Sequence, residues 1–176
     1  MSHNSYGRRP TLSNEELDPA LTEVSRKVIG CAIEIHKTLG PGFDVEVYEN
    51  ALSHELSEAG VEHQVGHEFP VEYDGKELGT FRVGLFVDNR FIVDVMAHDY
   101  EVGGFERTAL RSRLRAADLE LGLIINFHRR RLKDGGLVRV LNPDKLDELR
   151  GGQHDDDDHD DAGYEDEDAV AEHAED

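Results

Sequence analysis

The run FRVGLFVDNRFIVDVMA at 81–97 reads as two apolar strands joined at Asp88-Asn89, with one carboxylate, Asp94, in the middle of the second. A charge placed in an apolar strand must be hydrogen-bonded, paired or metal-bound, because leaving it bare costs several kcal/mol. Glu34 is a second candidate, carried with His36 and Lys37 in IGCAIEIHKTLGPG at 29–42. Two carboxylates of this kind suit a hard divalent cation that keeps several waters. Two groups of bases suit phosphates or acidic partners: Arg107, Arg111 and Arg115 at four-residue spacing with Arg113 adjacent, and His128, Arg129, Arg130, Arg131 and Lys133.

Each of these has a plainer reading. Pairing with an arginine such as Arg82 or Arg90 is preferred over a metal for Asp94, and Glu34 can bond a backbone amide or His36. His36 near a helix C-terminus suits the helix dipole better than general-base work. The arginine stripe can be a solvated face balanced by Glu101, Glu106, Asp118 and Glu120, and no aromatic residue is interleaved with it for base stacking.

The elements that must hold these residues follow from capping and periodicity. Asp18-Pro19 starts a helix, apolar residues from Leu21 to Leu39 repeat at helical spacing, and Gly40-Pro41-Gly42 ends it. A second helix starts near Asp44 with Val47, Ala51, Leu52, Leu56 and Ala59 as its stripe, and stops at Gly60. Residues 61–97 read as an antiparallel meander, with turns at Asp74-Gly75 and Asp88-Asn89. Phe105 to Ala117 is helical, Leu121 to Phe127 has the composition of a strand buried on both faces, and Leu137 to Leu141 is a last strand. The order predicts an α/β domain over 18–150 with a mixed sheet, preceded by a polar arm at 1–17.

The net charge of -20 is unevenly placed. Residues 151–176 hold 13 acids and no Lys or Arg, so the preceding 150 residues are only -7. That segment, with HDDDDHDD at 154–161, cannot bury a core and is expected to be a disordered acidic tail. An acidic body argues against a general nucleic-acid coat, since phosphate binding rests on clustered Lys and Arg. The single cysteine, Cys31, allows no disulfide within the chain, and no apolar run suits a membrane span, so a cytoplasmic protein is expected.

The segment at 29–42, the GFDVEVY that continues it to Tyr48, LGLIINF at 121–127 and RLKDG at 131–135 resemble the small GxxExxY family of the PD-(D/E)XK nuclease superfamily. The resemblance implies an αβββαβ core. It also implies a site in which an Asp and a Glu on neighbouring strands hold Mg²⁺, with a Lys two residues further on. Here the matching positions are Gly84, Asp94 and Met96, and Val45 replaces the motif glutamate. A glutamine and a tyrosine expected on the following helix fall on Ala109 and Arg113.

The expected function is therefore a catalytically inactive nuclease-like domain serving as a binding or assembly module, without a cofactor. Its partner is expected to be another protein or a second copy, with nucleic acid open to it through the arginines. Two alternatives stand: a Mg²⁺-dependent nuclease in which Glu34 and Asp94 form a reorganised site, and a regulator that uses the acidic tail as a charge mimic.

Overall fold

The computed structural model describes residues 18–149, so the expected N-terminal arm and acidic tail lie outside the described residues. Helix α1 spans Pro19–Leu39, and the Asp18 carboxylate accepts the Ala20 N–H at 2.9 Å. Leu21, Val28, Ala32 and Ile35 form its buried stripe. Gly40 ends it with φ +70, a conformation open to glycine at little cost. Helix α2 spans Val45–Glu58, but its buried face is turned from the predicted one: Tyr48, Glu49, Leu52 and Leu56 are inside and Val47 is exposed. Tyr48 explains the turn. Its hydroxyl donates to the Gly40 carbonyl at 2.7 Å and accepts the Phe43 N–H, while its ring stacks on Phe127 at 4.4 Å.

The strands are β1 (His63–Val65), β2 (Glu68–Tyr73), β3 (Lys76–Arg82), β4 (Leu85–Val87), β5 (Phe91–Met96), β6 (Leu121–Asn126) and β7 (Leu137–Leu141). They form a five-stranded sheet in the order β1-β4-β5-β6-β7 and a separate two-stranded sheet of β2 and β3. The predicted single meander is thus divided. The chain leaves one sheet for the other at Val83-Gly84, where the Val83 N–H bonds the His67 carbonyl and the Gly66 N–H bonds the Gly84 carbonyl. Both hairpin turns were legible: Asp74, Asp88 and Asn89 have φ near +50, and Gly75 has φ +73. β5 and β6 run parallel and the other pairs of the large sheet antiparallel.

Helix α3 (Gly104–Ala117) makes the crossover between the parallel strands, and α4 (Pro143–Leu149) is a short helix that composition did not reveal. Two apolar clusters cover the two sheet faces. One joins α1 and α2 to Phe91, Val93, Val95, Leu121, Leu123 and Ile125. The other joins Leu110 and Leu114 of α3 to Phe86, Ile92, Ile124 and Val140. Alternation along β5 then puts Asp94 and Met96 on the α3 face with Ile92. Among the described residues no helix is long and apolar enough to cross a membrane.

Candidate functional site

Asp94 opens into a crevice of about 350 Å³ between α2, the start of α3 and the centre of the sheet. Gly84, Met96, Ala109 and Arg113 line it, as does Val45, so the positions matched by motif do converge in space. Glu34 does not join them. It lies on the outer surface of α1, paired with Lys37 at 2.7 Å, and α1 covers the sheet face opposite Asp94. The Glu34–Asp94 pair expected of a reorganised site is not formed: Glu34 is exposed, paired with Lys37, and does not line the crevice.

The second carboxylate of the crevice is Glu49. It sits one helical turn after Val45, so the two share a face. Its side chain is only 5% exposed and is gripped by Arg82, with Nη2 to Oε2 at 2.9 Å and Nη1 to Oε1 at 3.2 Å. That hydrogen bonding raises the Arg82 pKa. Sequence reasoning missed Glu49 because it took Val47 for the buried side of α2, and the one signal for it was its spacing from Val45.

Asp94 has a different partner from either arginine proposed for it. Arg82 is engaged by Glu49 and Arg90 by Asp18, whereas Arg113 of α3 donates Nη1–H to Asp94 Oδ2 at 2.7 Å. Burial pushes the Asp94 carboxyl above its ordinary pKa, the Arg113 charge and hydrogen bond oppose that rise, and nearby Glu49 adds to it. Burial is the largest of these influences, so the pair compensates its desolvation only in part.

At Gly84 there is no room for a side chain. A Cβ there would stand 2.8 Å from the Val93 carbonyl oxygen and 3.2 Å from Glu49 Oε1. The backbone of β5 thus closes the place opposite Asp94. The crevice mouth carries two aromatics that no sequence motif marked, Phe105 at 82% exposure and Tyr100 at 50%, the latter stacked on His98.

Several of the bases in the two groups are held in ion pairs. Asp94 takes Arg113, Asp144 takes Arg115 at 3.1 Å, and Glu101 takes Arg129 at 2.8 Å. Arg107 and Arg111 stay exposed along α3, and Arg130, Arg131 and Lys133 are exposed in the β6–β7 connection. His36 bonds that connection through the Arg129 carbonyl at 2.6 Å, which gives it a structural contact instead of a reacting group. The connection is also tied to the chain after β5 by Asn126. Its Oδ1 accepts the His98 and His128 N–H groups, and its Nδ2 donates to the His98 and Tyr100 carbonyls.

A family model described as PD-(D/E)XK nuclease superfamily matches residues 22–140, from the first turn of α1 through β7. The chain belongs to that superfamily. Searches of curated proteins and of solved structures returned no match. The mixed sheet with helices on both faces agrees with this superfamily's fold, and the matched span contains every crevice residue described above.

The Mg²⁺ that the resemblance implies does not fit these residues as they stand. Mg²⁺ requires several hard oxygen ligands in near-octahedral array. Of the crevice carboxylates, Glu49 is bidentate to one arginine, Asp94 is bonded to another, and Glu106 accepts the Gly103 N–H at the α3 N-terminus. Gly84 supplies no ligand and Met96 only a thioether, a poor donor for this ion.

Proposed function

We propose that this superfamily member is a non-catalytic binding module in which two ion pairs stand where its relatives by resemblance would hold metal and lysine. The observation that carries the reading is the 2.7 Å bond from Arg113 to Asp94. It neutralises with a fixed guanidinium the carboxylate that a nuclease would reserve for Mg²⁺. The closure of the strand opposite, at Gly84, supports the same reading, as does the thioether of Met96 in place of a cation. A preorganised charge at a developing oxyanion is typically worth 10²- to 10³-fold in rate, about 3–4 kcal/mol, and among the described residues both arginines that line the crevice are held in ion pairs. Exposed Phe105 and Tyr100 at the crevice mouth suit the contact surface of another protein or of a second copy, since exposed aromatics are enriched at such interfaces.

The decisive assay incubates the purified chain with single- and double-stranded DNA and with RNA, in Mg²⁺ and in Mn²⁺, alongside calorimetric titration of both ions. The expected result is intact nucleic acid and no heat that depends on Asp94 or Glu49. Strand scission lost in both Asp94→Asn and Glu49→Gln would instead establish a metal-dependent nuclease with a reorganised site, for which superfamily membership is the supporting observation.

A further inference from the structure

The exposed side of α3 carries a stripe of positive charge that the fold leaves largely uncovered. Arg107, Arg111 and Arg115 succeed one another at four-residue intervals, about 12 Å from first to last at helical rise. The exposed residues between them are Thr108 and Ser112, neither of them acidic. Among the described residues, Arg115 alone of the three has an ion-pair partner, Asp144 at the start of α4. Uncovered bases are unexpected in a chain of net charge -20.

That same contact shows where the chain goes next. Asp144 on Arg115 and Lys145 on Asp118 pin α4 to the C-terminal end of α3. α4 ends at Leu149, and the run HDDDDHDD begins five residues later, at 154. A five-residue connection spans at most about 18 Å, so the aspartates start within reach of Arg115. From Asp155 to Asp161 an extended chain covers about 20 Å, enough to run the length of the stripe.

From this complementarity of charge and length we infer that residues 154–161 dock on the arginine stripe of α3 of their own chain. The occupant is an acidic peptide segment, held by charge-assisted bonds between carboxylates and guanidinium groups. Tethering keeps its effective concentration high, so each exposed pair can be weak and the contact still populated. A second consequence is competition: polyanions reach Arg107 and Arg111 only by displacing the tail. This inference stands apart from the reading of the crevice, because neither Arg107 nor Arg111 lines it.

The test uses the full chain with a nitroxide on Ala162→Cys in a Cys31→Ser background, read by amide NMR. Docking predicts signal loss at Arg107, Thr108, Arg111 and Ser112 about twofold or more above that at Gly30 and Glu34 on α1, and its disappearance in about 1 M salt, where the Debye length is about 3 Å. Arg107→Glu with Arg111→Glu should abolish it, the same spectrum showing that the variant is folded. Replacing the six aspartates of 155–161 by asparagine should do likewise. Signal loss spread evenly over the surface, centred on Arg130 and Arg131, or unchanged by charge reversal overturns the inference. So does broadening transferred to isotope-labelled chains that carry no nitroxide, which would assign the contact to a second copy.

Discussion

Asp94 is held where burial and pairing pull in opposite directions, and its titration should report both. Burial sets its folded pKa above the ordinary 3.8 despite Arg113. Between the ordinary and the raised value the folded state binds the extra proton, so stability falls as pH rises through that window and levels off above it. Below the ordinary value the contribution is fully present. Carboxyl-carbon NMR should show this rise, and Arg113→Ala should raise the value further by removing the charge and hydrogen bond that hold it down. A lower pKa in that variant would refute the assignment. Gly84 makes a second test, because its missing side chain is a steric requirement. Gly84→Ala drives a Cβ against the Val93 carbonyl and should cost about 1–3 kcal/mol in chemical denaturation, as overpacking typically does. Gly79→Ala in β3, where no atom lies within 4 Å, is the control. Equal losses in the two would show that Gly84 is simply a strand glycine. The same crowding means that putting back the family letters with Gly84→Asp, Asp94→Glu and Met96→Lys cannot rebuild the site without moving β5.

At the scale of elements, Glu49 and Arg82 join α2 to the end of β3, close to where the chain changes sheets. The two partners differ in exposure, 5% for the carboxylate against 52% for the guanidinium. Removing the arginine strands a buried charge, whereas removing the acid frees a base that water already reaches. Arg82→Ala should therefore lose about 2–3 kcal/mol and Glu49→Gln nearer 1 kcal/mol, measured as denaturation midpoints at neutral pH. The reverse order would mean that Arg82 acts chiefly by packing. Much of this level was legible in the sequence. Capping at Asp18, the Asp88-Asn89 turn and the apolar run of β6 are local signals, and each fixes its element without help from distant residues. The α2 face was not legible, because a tyrosine hydroxyl reaching back eight residues to Gly40 decides which side turns inward. Hydropathy alone would place Val47 there.

For the whole molecule, the same division between local and distant holds. The two-faced sheet follows from the order of elements, and the family match over 22–140 agrees with it. The crevice was half visible. Gly84, Asp94, Met96, Ala109 and Arg113 were picked out by position, and they do meet, but their partnerships were hidden. Arg113 stands nineteen residues from Asp94 and meets it only through the crossover helix, while Glu34 stays exposed on α1, paired with Lys37. Charge pairing across elements has no periodicity to betray it.

The amide of Asn126 spends both of its protons and both of its lone pairs on two separate stretches of main chain. Only a carboxamide offers that complement on one flat group, and glutamine would carry it a methylene too far. An isosteric aspartate would turn bare oxygens toward the His98 and Tyr100 carbonyls and prise apart the seam that a truncation would merely loosen.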